Sequence, residues 1–249
     1  MSVRIAPSAD VDERAELGDG TTVWHLAQVR EQAVLGRNCI IGRGAYVGPG
    51  VRIGDNCKLQ NHALVYEPAV LEDGAFVGPA VVFTNDHYPR AVSPDGTLKR
   101  GDDWEAVGVT VREGASIGAR SVCVAPVTIG RWALVAAGSV VVKDGPDFAL
   151  VVGVPARRLR WVGRAGVPLE PDPERGEGAW RCPQTGEHYT ETTTKTDDGQ
   201  LIETLTEAPA RRTPPLEALL SPTGPRSPRP RCSSATRSAP RSTACCAAA

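Results

Sequence analysis

Residues 23–65 read VWHLAQVREQAVLGRNCIIGRGAYVGPGVRIGDNCKLQNHALV. An aliphatic side chain returns at every sixth place: Val23, Val29, Leu35, Ile41, Val47, Ile53, Leu59 and Val65. Outward from this stretch the series runs down through Leu17 and Val11 to Ile5, and up through Leu71 and Val77 to Phe83. It breaks once, across residues 84–110, and resumes at Val111, Ile117, Cys123, Ile129, Val135 and Val141, which makes twenty positions. A small or β-branched residue follows four places later, as at Ala27, Ala33, Cys39 and Ala45, and Gly often follows at once, as at Gly36, Gly42, Gly48 and Gly54. An amphipathic helix needs apolar steps of three and four, and a half-buried strand needs steps of two. A fixed period of six is that of a repeat solenoid, and it predicts a parallel β-helix.

Three hexads close a triangular coil of eighteen residues, so residues n and n+18 stack at the parallel-strand spacing of roughly 4.8 Å. The aliphatic points into the prism and the small residue fits the corner. Fourteen hexads before the break and six after it predict between six and seven coils, ample for one core. This chain resembles the left-handed β-helix proteins of the hexapeptide-repeat family, and left-handedness is what the resemblance implies, since spacing alone leaves the hand open. The expected organisation is an all-β chain. Residues 1–152 form the coils with the loop 84–110 inserted. Residues 153–165 form a short capping helix opened by Pro155, with Leu159 and Trp161 over the end of the prism. Residues 176–207 form a β-hairpin around Asp198-Gly199.

Net charge is −1 over 249 residues, but residues 209–249 hold seven Arg and one Glu together with eight Pro. That tail lacks the apolar content to offset its ordering entropy and is expected to be disordered. It has no aromatic or Lys interleaving, which argues against a nucleic-acid arm. No apolar run reaches membrane-spanning length, and residues 1–10 carry no signal-peptide core, so a cytoplasmic protein is expected. Cys39, Cys57 and Cys123 sit at corner or inward positions as small hydrophobes, and no CxxC pair points to a metal.

A β-helix has no chemistry of its own, so function rests on residues that project from it. The second residue after each inward aliphatic is expected to point outward, and His25, Glu67 and Asn85 stand there. Asn85 lies eighteen beyond Glu67, which makes them neighbours on one side. His25 and Asn61 are thirty-six apart on another side, roughly 10 Å from each other. His62 follows Asn61 at a turn.

The segments VWHLAQVRE (23–31), KLQNHALVYE (58–67), FTNDHYPRA (83–91) and VGVPARRLRW (152–161), in this order, are similar to those of the sugar-nucleotide N-acetyltransferases. Those enzymes acetylate UDP-3-amino-uronates or dTDP-3-amino-6-deoxyhexoses for surface polysaccharides, and the likeness spans about residues 4–162. It implies acetyl-CoA as co-substrate with no metal, a nucleotide-sugar acceptor, and a homotrimer with its active sites between neighbouring prisms. No nucleic acid or membrane is implied as a partner. It also implies a coenzyme A path along Ala136, Ala137, Gly138 and Ser139, with Lys143, Arg157 and Arg160 at the phosphates and Arg158 left as a solvated rim. Asn85 is then expected to hold the sugar or its amine, and Glu67 to orient that amine or take its proton, with His25 as the third catalytic candidate. Asn61, His62, His87 and Arg90 are the substrate-binding candidates. Three rival readings stand beside this one: an O-acetyltransferase with a His base, a non-catalytic assembly module, and a γ-type carbonic anhydrase. The last would need His25, His62 and His87 to converge, and their offsets of 37 and 25 do not stack.

Overall fold

The computed structural model describes residues 2–196, 199 and 201–209. The twenty aliphatic positions become twenty strands of two or three residues, arranged as three parallel sheets. The first side starts at Arg4–Ile5 and reaches Leu134–Val135, the second runs from Asp10–Val11 to Val140–Val141, and the third from Glu16–Leu17 to Val127–Ile129. Below the loop each strand pairs with the one eighteen residues on, as in Thr22↔Ile40 and Tyr46↔Leu64. Across the loop the offset becomes forty, as in Val82↔Val122. The excursion therefore adds 40 − 18 = 22 residues to one coil and leaves the stack in register. From Val23 to Val141 every inward aliphatic is buried, each contributing on the order of 1.5–3 kcal/mol relative to exposure. Ile5, in the first coil, is 47% exposed, with no coil beneath it among the described residues.

Two features of the repeat have different physical reasons. Gly follows the aliphatic because the coil above presses there: a Cβ on Gly36 would meet Asp55 Oδ1 at 2.5 Å, and one on Gly42 the Asn61 nitrogen at 2.6 Å. The left-handed backbone falls two residues later, at Leu26, Gln32, Asn38, Asn56 and His62, with φ between 57° and 61°. The corner small residues close the turns with their own polar atoms. Thr21 Oγ1 donates to the Gly36 carbonyl at 2.8 Å, and Cys39 Sγ donates to that of Gly54 at 3.1 Å. Cys39 and Cys57, one coil apart at the same corner, are free thiols, as are Cys123 and Cys182.

The capping helix is a correction. Residues 153–165 are not helical; Ala149–Gly153 pairs parallel with Leu134–Val135, and Ala156–Trp161 returns antiparallel on it. The top of the first side presents unpaired N–H and C=O groups, and a strand satisfies them where a helix would not. Gly153, at φ +101°, opens the tight return. Trp161 is 1% exposed and caps the prism as expected, but Leu159 is 60% exposed and does not.

The expected hairpin is present as His188–Lys195 paired with Leu201–Glu207, with Gly199 at its turn and Asp198 outside the described residues. It is part of a larger element. Glu170–Pro171 and Ala179–Arg181 extend it to four antiparallel strands. This sheet seats Tyr189 and Leu205 on the end of the core, with the Tyr189 ring 5.3 Å from that of Phe148. The tail expectation lies, but for Pro209, outside the described residues. Among the described residues no helix is long and apolar enough to cross a membrane.

Candidate functional site

The loop leaves the prism at the corner between the second and third sides. Its base is closed by the Asp86↔Ala106 bridge and by the Val107 N–H, which donates to the Asn85 carbonyl at 2.9 Å. This fixes Asn85 over Glu67 as the eighteen-residue stacking predicts, and Asn85 Nδ2 donates to Glu67 Oε1 at 3.5 Å, a long bond. Glu67 Oε2 is buried with no donor.

Three other corners show the reason. At the position of Glu67, Asp55, Asn61 and Asp73 each accept the backbone N–H of the residue eighteen places earlier: Arg37 at 2.7 Å, Arg43 at 2.9 Å and Asp55 at 2.7 Å. Glu67 Oε2 occupies the same place, so that a Cβ on Gly48 would collide with it, as one on Gly36 would with Asp55 Oδ1. Eighteen places before Glu67 stands Pro49, which has no N–H. Pro68, next after Glu67, also removes the left-handed residue of the regular corner.

Around this carboxylate lie two rings that the hexad pattern does not single out. Tyr46 and Tyr66 stand 4.9 Å apart, tilted at 46°. Burial, and then the charge of Glu67, push the Tyr46 phenol up, while Arg30 opposes them. Arg30 is itself engaged by Glu31 at 2.8 Å. The loop carries an open pocket of about 390 Å³ lined by Asp86, His87, Tyr88, Lys99, Trp104, Glu105 and Val107. His87 packs its ring 4.4 Å from Tyr88, and the exposed Arg90 turns to the Pro89 carbonyl at 2.8 Å.

The other candidates lie elsewhere. A groove of about 560 Å³ runs along the opposite edge of the second side, and His25, Trp24, Arg43, Gln60 and Asn61 line it. His25 Nδ1 is 2.9 Å from Ser8 Oγ. His25 and Asn61 thus share a groove, but within one chain the second side separates them from Glu67 and Asn85. Asn61 holds its corner, and His62 is an exposed left-handed turn residue over Gly44. Among the described residues no group of three or more His, Cys, Asp or Glu gathers to hold a metal.

At the upper end, Lys143 and Arg157 line a groove of about 240 Å³ with Asp144, Pro146 and Arg158. Ala137 and Gly138 are exposed, whereas Ser139 is buried and its hydroxyl accepts the Gly153 N–H at 3.1 Å. Ser139 is therefore a structural tie. Arg160 is exposed on the returning strand and outside the groove lining. Arg158 pairs with Glu203 of the terminal sheet and lies 4.2 Å over the Trp161 ring, so it braces the end of the prism. Pro49 was readable from the stacking arithmetic. Tyr46 lies outside the four similar segments, and Tyr66 lies in KLQNHALVYE with nothing in its spacing to mark it.

The repeat family described as bacterial transferase hexapeptide (six repeats) matches residues 14–49 and 32–67, and the hexapeptide repeat of succinyl-transferase matches residues 108–143. A dTDP-3-amino-3,6-dideoxy-alpha-D-galactopyranose 3-N-acetyltransferase of Aneurinibacillus thermoaerophilus is 59% identical over 54 residues, 21% of this chain and 28% of that protein. The bifunctional protein GlmU of Alkalilimnicola ehrlichii is 35% identical over 180 residues, 71% of this chain and 37% of its own length. The matches thus span about a third of these relatives. The solved structure of LpxA, a UDP-N-acetylglucosamine acyltransferase from Bacteroides fragilis 9343, aligns over 64% of this chain and 61% of its own, with a TM-score of 0.52 and 16% identity, a likeness of fold. Residues 14–67 and 108–143 thus match hexapeptide-repeat models of bacterial transferases, and the chain folds as a left-handed β-helix.

Proposed function

We propose that this chain is an acetyltransferase that moves an acetyl group from acetyl-CoA to the amino group of a nucleotide-linked amino sugar. The acceptor is of the dTDP-3-amino-6-deoxyhexose or UDP-3-amino-uronate type. The observation that carries this reading is the half-buried Glu67 carboxylate, whose buried Oε2 has no donor, beside Asn85 at the root of the loop. A buried acceptor left unpaired costs on the order of 1–3 kcal/mol, and a substrate ammonium or amine would satisfy it. The Aneurinibacillus relative, an N-acetyltransferase of a dTDP-3-amino sugar, supports the same substrate class.

In this reading the neutral sugar amine attacks the thioester carbon and forms the C–N bond. The resulting oxyanion collapses, the C–S bond breaks, and the coenzyme leaves as thiolate. The proton lost by the attacking nitrogen passes to Glu67 and onward to that thiolate, so an N-acetyl sugar and a free thiol result. Asn85 orients the acceptor, since alignment of two bound reactants supplies much of the rate. Lys143 and Arg157 meet the coenzyme phosphates.

The active unit is a homotrimer. The outer face of the second side carries an apolar stripe of Tyr46, Leu64, Val82, Val122 and Val140, each half-buried in the single chain. Packing this side against a neighbour would bring the His25 groove of one copy towards the Glu67 corner of another. The free thiols suit a cytoplasmic setting, where acetyl-CoA is found. The test is acceptor-dependent thiol release from acetyl-CoA with both classes of amino sugar. Release with hydroxyl acceptors alone would favour O-acetylation instead.

A further inference from the structure

The corner of Glu67 places a carboxylate over a proline, and its difference from the corners of Asp55, Asn61 and Asp73 bears on how the candidate site works. Asp55, Asn61 and Asp73 are pinned to the coil below by a backbone N–H at 2.7–2.9 Å. Glu67 reaches the same position over Gly48 and finds Pro49, so its only described partner is Asn85 at 3.5 Å. Pro49 is half-buried beneath it.

We infer that Pro49 is a positioning residue. By withholding the corner N–H it leaves the Glu67 carboxylate unpinned and able to turn from the prism to the acceptor amine. This rests on the acetyl-transfer reading above and deepens it. A residue with an N–H at position 49 would offer Glu67 the bond that its counterparts make. The carboxylate would then be held at the corner, and the acceptor would have to compete with an intramolecular donor. The site thus gives up a local hydrogen bond that neighbouring corners make, a pattern expected where function overrides local consistency.

The chain holds its own control. Pro79 occupies the same place in a second Val-Gly-Pro corner, and the residue above it is Ala119, which offers no side-chain acceptor. Pro49→Ala and Pro79→Ala therefore share the change in chain stiffness, and only the first creates a donor beneath a carboxylate. In steady-state assays Pro49→Ala is expected to lower kcat/KM for the amino sugar roughly tenfold, about the worth of one hydrogen bond to a charged group. KM for acetyl-CoA should stay unchanged, and Pro79→Ala should change neither.

A cycle of Pro49→Ala, Glu67→Ala and the double variant, followed by urea unfolding, reads the new bond without any substrate. Coupling between the two sites is expected, with Pro49→Ala more stable when Glu67 is present. Active wild-type protein in which the two proline variants behave alike would overturn the inference, as would strict additivity in the cycle. Wild-type protein that releases no thiol with any amino sugar would instead defeat the acetyl-transfer reading, and the cycle would still report on the corner.

Discussion

At the scale of single residues the chain separates those that close the coils from those left free to act. Thr21 belongs to the first kind: its buried hydroxyl donates to the Gly36 carbonyl and accepts the Cys39 N–H at 3.0 Å. Thr21→Val keeps the shape and strands both partners, so a loss of about 2 kcal/mol in urea-unfolding stability is expected, with activity per folded molecule retained. In the proposed reading Glu67 and Asn85 belong to the second. Glu67→Gln and Asn85→Ala should each lower kcat roughly a hundredfold while the unfolding midpoint stays near wild type, read by thiol release and circular dichroism. Retained activity in both would remove them from the chemistry. The sequence made the Glu67–Asn85 pairing legible because eighteen-residue stacking is arithmetic. It did not reveal that Asn61 and Ser139 are tied to backbone groups, since an outward position and a corner bond look alike in one dimension. Nor did it reveal Tyr46 and Tyr66, whose approach to Glu67 depends on side-chain direction and not on spacing.

At the scale of elements, the strands were readable to the residue, because the inward aliphatic repeats wherever a strand forms. The segment 153–165 was not. Its Arg, Leu and Ala residues favour a helix locally, but the open edge of the first side offers backbone partners, and tertiary pairing outweighs a weak intrinsic preference. The four-stranded terminal sheet was half legible: the alternation of residues 188–207 shows in the sequence, while the two short strands before it lack a pattern long enough to notice. The loop is an insertion that leaves the register whole, and this leads to a test. Replacing residues 87–105 with two glycines keeps the Asp86↔Ala106 bridge at its base. The coils should fold with a Tm within about 5 °C of wild type, a shift of order 1 kcal/mol or less, while acetyl transfer is lost. A shortened protein that still turns over would place the acceptor site away from the loop.

At the scale of the whole molecule, one prism carries two sets of polar residues on opposite edges of a side whose outer face is apolar from Tyr46 upward. Sedimentation equilibrium is expected to give three times the 26.3 kDa chain mass. Val82→Arg, which places a charge in the middle of that stripe, should yield monomers that keep their β-helical circular dichroism and lose activity. A wild-type monomer with full activity would contradict the shared-site arrangement. The central claim is that a rigid coil presents a carboxylate with one oxygen unpaired to an amine brought beside a thioester. It is tested most directly by incubating the wild-type protein with acetyl-CoA and a dTDP-3-amino-3,6-dideoxyhexose and following free thiol together with the mass of the sugar nucleotide. The account predicts one thiol released per acetyl group gained on the sugar nitrogen. No acceptor-dependent release with that sugar or its UDP-3-amino-uronate counterpart, from protein shown to be folded, would contradict it.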